Sequence, residues 1–128
     1  MPNITTVNDL QGKTEAAPIV YGTTTSSQGS VADEQDFLHN ATTSQTFKLN
    51  TLMVANTHSA DAVVNLSFHD GTNAYTFANS ITIPTGASLD ALSGPIYVNN
   101  GERIIVGLET SGATIHVVAS YENLTTTS

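Results

Sequence analysis

The sequence contains no cysteine, which excludes a disulfide scaffold and a thiolate metal site. The absence leaves the compartment open. Cations are nearly as scarce: Lys13, Lys48 and Arg103 face eleven acids, for a formal net charge of −8. No basic stripe can be drawn from three residues, so direct nucleic-acid binding, which needs phosphate neutralisation, is not expected. Anionic membranes are disfavoured for the same reason. The acidic surplus suits solubility and a basic protein partner. Charged residues make up only 11% of the chain, against roughly 25% in ordinary soluble domains. No stretch approaches the length of a transmembrane span. The start, Met1-Pro2-Asn3-Ile4-Thr5-Thr6, has neither the basic residues nor the apolar run of a signal peptide, which predicts synthesis in a cytoplasm.

What fills the chain instead is hydroxyl. Twenty Thr and twelve Ser account for a quarter of the 128 residues. Threonine suits a pleated, half-buried surface and serine suits turns and exposed strand faces. The length fits one domain with a modest two-layer core.

Period-two alternation dominates from Thr46 onward. Ala62, Val64, Leu66 and Phe68 alternate with Val63, Asn65, Ser67 and His69. Asp70-Gly71 then marks a hairpin turn, and Ala74-Tyr75-Thr76-Phe77 returns. Ile81-Thr82-Ile83 stops at Pro84, with Gly86 in the turn. Ile96-Tyr97-Val98 closes at Asn99-Asn100-Gly101. Ile104, Val106 and Leu108 form a further strand. Ile115, Val117, Ala119 and Tyr121 form the last, after Ser111-Gly112. Between Phe47, Leu49 and Leu52, Val54 the parity changes, which predicts a bulge or bend near Asn50-Thr51. Seven or eight short strands at this spacing, with no intervening helical pattern, predict an all-β antiparallel sandwich or jelly roll. No internal sequence repeat stands out.

Residues 1–45 read differently: an extended N-terminal arm and loop with one short strand, Pro18-Ile19-Val20-Tyr21-Gly22. The apolar content there is too thin for an independent fold. Residues 1–16 are expected to order only against a neighbour, and a helical turn is allowed near Asp33-Glu34-Gln35-Asp36. Residues 46–122 form the sandwich body and 123–128 a polar tail.

Candidate chemistry is sparse. His39, His58, His69 and His116 lack a metal-ligand spacing, and the alternation puts His69 and His116 on outward faces. His69-Asp70 has the form of an acid–base pair, but Asp70 stands where a turn demands such a residue anyway. Asp33, Glu34 and Asp36 could supply oxygen ligands to Ca²⁺, yet lack the EF-hand pattern, so a solvated acidic loop is the expectation. Glu102-Arg103 reads as a solvated turn edge. Sequons at Asn3, Asn40, Asn65 and Asn123 match the count that composition produces by chance, about three. No nucleophile elbow exists. No catalytic, cofactor-binding or metal residues are therefore assigned, and no cofactor is expected. Tyr75, Phe77 and Tyr97 are the one candidate ligand platform. A carbohydrate-binding module would show Tyr75, Phe77 or Tyr97 exposed on one concave face.

The ordered set Leu52-Met53-Val54-Ala55-Asn56, Ile81-Thr82-Ile83-Pro84-Thr85-Gly86-Ala87-Ser88-Leu89, Gly101-Glu102-Arg103-Ile104-Ile105-Val106 and Val117-Val118-Ala119-Ser120-Tyr121-Glu122 resembles small β-sandwich virion proteins of tailed bacteriophages. The resemblance covers Thr51 to Glu122. It implies a non-enzymatic structural role with no catalytic residues: a decoration or cement protein on the capsid shell, or a neck or tail accessory protein. It further implies the major capsid protein or other virion proteins as partners, a homo-oligomer with the trimer favoured, and location in the virion after synthesis in the host bacterial cytoplasm. The N-terminal arm would suit a capsid anchor, since an extended segment gains affinity by adding a strand to a neighbour's sheet.

Overall fold

The structure, a computed structural model, describes residues 6–21 and 34–127. Within them lie nine strands: β1 Thr6–Val20, β2 Glu34–His39, β3 Gln45–Asn56, β4 Ala62–His69, β5 Ala74–Ile83, β6 Ser88–Asp90, β7 Ile96–Val98, β8 Arg103–Leu108 and β9 Thr114–Thr127. They form two antiparallel sheets. The first runs β1-β9-β3-β6, with β7 sharing the far edge of β3; the second runs β2-β8-β4-β5. The all-β sandwich expected from the alternation is what the chain builds.

Inward parity makes the core. Leu49, Leu52 and Val54 of β3 meet Ile115, Val117 and Ala119 of β9 on one inner face. Val64 and Leu66 of β4, with Ile104 and Val106 of β8, supply the other, and all are fully buried. Each such Leu, Ile or Val side chain contributes about 1.5–3 kcal/mol by leaving water. The parity change in β3 is a bulge, as expected, with the register slipping between Leu49 and Thr51. It allows Leu49 and Leu52 to face the same core. Between β3 and β9, the Phe47 and Tyr121 rings tilt against each other at 5.0 Å.

Two ends of the sequence extend further into the sheets than alternation suggests. The N-terminal segment is extended, but it pairs with β9 along its length, from Thr6 opposite Thr127 to Val20 opposite Thr114. Of the short strand expected at 18–22, residues 18–20 are the end of a fifteen-residue one, Tyr21 is in a turn, and residue 22 lies outside the described residues. From Thr6 onward the segment orders against its own chain rather than a neighbour. The other end follows, because β9 continues through the polar tail to Thr127. Hydrophobic alternation cannot reveal such strands. Their backbone hydrogen bonds are made whatever the side chains are. A helical turn near Asp33–Asp36 is not seen among the described residues, where Glu34–His39 is strand β2 on β8.

The turns are fixed by glycine and asparagine. Gly86 and Gly101 adopt φ of 76° and 88°, a region open to Gly without steric cost. Each is gripped by a buried asparagine. Asn40 N–H donates to Glu102 O (3.0 Å) while Gly101 N–H donates to Asn40 O (2.6 Å). Asn56 N–H donates to Ala87 O (2.9 Å) while Gly86 N–H donates to Asn56 O (3.1 Å). The side chains repeat the pattern. Asn40 Nδ2 donates to Val98 O and Gln45 O. Asn56 Nδ2 donates to Ile83 O and Ala60 O. Each Oδ1 accepts from the N–H two residues on, Thr42 or His58. One turn-locking device therefore closes both ends of β3, without any repeat in the sequence.

Candidate functional site

The outer face of the first sheet carries exposed apolar surface assembled across three strands. Register places Ala16 of β1 opposite Val118 of β9, and Val118 opposite Met53 of β3. All three lie on the solvent side, with Val118 42% and Met53 45% exposed. The next row is Pro18, His116 and Ala55. Ala16, Ala17, Pro18, His116, Val117 and Val118 line a shallow depression between the first two strands. Acidic and basic groups border this face: Lys48 and Glu122 pair at 3.8 Å, and Asp90 of β6 stands opposite Met53. Monomeric proteins scatter single exposed apolar residues, whereas contiguous ones mark contact surfaces. Alternation had already put His116 outward; only the pairing of three strands brings it beside Pro18 and Ala55, and Val118 beside Ala16 and Met53.

The second sheet's outer face is polar and largely closed. Arg103 Nη1 donates to Asp36 Oδ2 at 3.0 Å, and both side chains are mostly buried. Asp36 Oδ1 and Arg103 Nε have no hydrogen-bond partner among the described residues. This corrects two expectations: Asp36 is a strand residue in an ion pair, not part of a solvated loop, and Arg103 is not a solvated turn edge. Glu102 does sit in the turn, where its Oε1 accepts from Asn99 N–H. Asp33 and the Glu34 side chain lie outside what is described.

His69, opposite Arg103 on β4, is 1% exposed and so is not a surface histidine. Its Nδ1 accepts from Gly71 N–H at 3.0 Å. Its partner is the turn, not Asp70. Asp70 Oδ1 accepts from Thr72 and Asn73 N–H. The Asn73 bond, then the Thr72 bond, hold the Asp70 carboxyl below its ordinary range. This is the turn role the sequence indicated.

Further along the same face, Asn65 Nδ2 and Ser80 Oγ both donate to Glu109 Oε2. Asn65 Oδ1 accepts from Ser80 N–H at 2.7 Å. These bonds hold Ser80 at φ 52°, beside an irregularity in the β4–β5 pairing. Among the described residues no group of three His, Asp or Glu side chains converges as a metal site would require.

The aromatic candidates divide. Tyr75, Phe77 and Tyr97 are 57%, 38% and 50% exposed. Tyr75 and Phe77 are on β5 of the second sheet, and Phe77 borders an open depression with the 91–96 segment. Tyr97 is on β7, opposite Lys48, on the outer face of the first sheet. Three exposed rings are present, but register separates Tyr97 from the other two. Of the sequons, Asn40 and Asn123 are buried and Asn65 is bonded as above.

No protein-family model matches the chain, and no curated protein matches it. Among solved structures, it is similar to a Podospora anserina GH26-CBM35 β-(1,4)-mannanase at 17% identity, over 93% of this chain and 28% of that one, with a TM-score of 0.36. It is also similar to a structure of infectious bursal disease virus, Gt strain, at 10% identity, over 94% of this chain and 42% of that one, with a TM-score of 0.27. The chain thus spans less than half of either. Superpositions this loose carry no argument about function.

Proposed function

We propose that this protein is a non-enzymatic virion structural protein that binds and stabilises a bacteriophage capsid as a decoration or cement protein. The observation that carries the reading is the outer face of the first sheet. There Ala16, Val118 and Met53 form an apolar row across three consecutive strands, continued by Pro18 and Ala55. An apolar sheet face of this kind buries well against a second protein surface, with the Lys48–Glu122 pair and Asp90 as a polar rim. The residues behind it are a fully packed core, so the face stays rigid on docking. The partner is the major capsid protein or another virion protein, and a neck or tail location uses the same surface.

The test is co-sedimentation of the full chain with assembled capsids, followed by cryo-electron microscopy of the decorated particle. Val118→Asp should lower occupancy by about tenfold or more, as expected for a charge placed at an interface centre, with unchanged thermal melting. Undiminished occupancy removes this face from the proposal, and no binding by the unaltered chain removes the capsid role.

A carbohydrate-binding module is the second reading, favoured by the exposure of Tyr75 and Phe77 on one strand. A glycan array on the full chain tests it: hits abolished by Tyr75→Ala support it, and an empty array discards it.

A further inference from the structure

We propose that two copies of this chain pair through the outer edge of β1, antiparallel and two-fold, centred on Thr14, so that their first sheets become one continuous sheet. Among the described residues β1 is the terminal strand of its sheet. Its geometry states which backbone groups face out. Tyr21 N–H donates to Ala113 O at 3.0 Å. The register then runs without a slip from Val20–Thr114 to Asp9–Thr125. In an antiparallel ladder the hydrogen-bonded pairs alternate. Odd residues of β1 therefore turn their N–H and C=O toward β9, and Leu10, Gly12, Thr14 and Ala16 turn theirs away.

Pro18 falls on that outward set, where its missing N–H costs no bond to β9; opposite the second copy's Leu10 it has no N–H to give, so the new ladder ends there. The other edges are less suited. β6 and β7 are three residues each, and the pairings of β2 and β5 carry register slips. Natural edges are blunted by such shortness and irregularity. The stretch of β1 from Leu10 to Ala16 has neither.

Charge selects the occupant. Of the three cations in the sequence, Lys48 and Arg103 have ion-pair partners within the chain. Lys13 has none among the described residues, and neither does Glu15 two positions on. Both lie on one face of β1. An antiparallel copy centred on Thr14 sets Lys13 directly opposite the second copy's Glu15, and Glu15 opposite its Lys13. Both are side-chain-close pairs. It also sets Ala16 opposite Gly12, which leaves no bulk to clash. Centring one residue earlier, between Lys13 and Gly12 of the two copies, would break the inward–outward parity of the sheet. Centring on Lys13 would oppose the two lysines. The edge is thus self-complementary at Thr14, as a two-fold contact requires. It yields a dimer, not the trimer that the phage resemblance implies.

The experiment is sedimentation velocity on the full chain over a wide concentration range, with thermal melting as the folding control. The unaltered chain should dimerise. Lys13→Glu should oppose two glutamates at each contact, and Glu15→Lys should oppose two lysines. Each variant alone should weaken the dimer by about tenfold or more. Mixed in equal amounts they restore both pairings and should form a heterodimer. Thr14→Pro removes an outward N–H without touching the β9 ladder, and should give a folded monomer. A monomeric or trimeric unaltered chain overturns the proposal, as does a mixture that fails to associate. A dimer that survives all three substitutions lies on another surface and overturns it too. The outcome is independent of the capsid reading, since it needs no virion component.

Discussion

Asn40 and Asn56 hold their turns through hydrogen bonds that no neighbouring residue can replace. Asn40 is fully buried, and its Nδ2 is the partner of Val98 O, 58 residues away. Replacing it with Ala strands that carbonyl and frees the Thr42 N–H, so Asn40→Ala should cost about 2–4 kcal/mol by urea denaturation. Asn56→Ala should cost about as much, because the bonding pattern is the same. The Asp36–Arg103 pair is a second residue-scale case. Arg103→Ala leaves a mostly buried carboxylate alone and should destabilise by about 3 kcal/mol, whereas Asp36→Leu with Arg103→Met should recover most of it in a double-mutant cycle.

Asp70 shows a pH dependence of known sign. Its folded pKa is lowered, by the Asn73 and then the Thr72 backbone bonds. The stability it contributes is therefore present above its unfolded value, near 3.8, and is lost as pH falls through the folded one. An Asp70→Asn variant should show less loss of stability over that acidic window than the unaltered chain, measured by denaturant melts at successive pH values. None of these roles was legible as such, except that of Asp70. A buried asparagine and a turn asparagine look alike in sequence, and an outward strand position does not announce that it is covered.

At the scale of elements, what alternation reads well is an inner face. Most strands from Leu49 to Tyr121 were legible because one side of each is apolar and the other is not; the three-residue β6 was not, and the segments 74–77 and 81–83 join in one strand, β5. β1 was not, since residues 10–14 are exposed on both faces and have nothing to alternate. It is held by its ladder to β9 and by Ile19, fully buried at its far end. Ile19→Ala should therefore cost about 2–4 kcal/mol and loosen β1 before the rest, seen as faster hydrogen exchange in β1 than in β8. β8 is the opposite extreme. It is central in its sheet and buried on every residue. Its outward Ile105, opposite Asp36 and Ser67, makes an amphipathic strand into one closed on both sides.

At the scale of the molecule, the two sheets present contrasting outer faces. One is polar, ion-paired and closed; the other carries the Ala16–Val118–Met53 row in the open. A neighbour that docks on the second kind gains apolar burial at little desolvation cost. The edge of β1 borders that same sheet, so a two-fold pairing through it would place two copies of the row on one continuous surface. Leu52→Ala, in the core behind the row, should cost about 2–5 kcal/mol and so lower any assembly indirectly. Val118→Asp should lower it without that loss. Comparing the two separates folding from docking.

The sequence by itself determined the all-β class, the inner faces of most strands, the bulge in β3 and the glycine turns. Each of these is a local consequence of side-chain parity or of a φ that only some residues accept. The tertiary structure alone decided which strands are neighbours. From that followed the pairing of the N-terminal segment with β9, the burial of His69 and Arg103, the separation of Tyr97 from Tyr75 and Phe77, and the apolar row. Alternation tells a residue which side of its own strand it is on. It carries no information about which strand lies next to it, because the backbone hydrogen bonds that join strands are the same for every sequence.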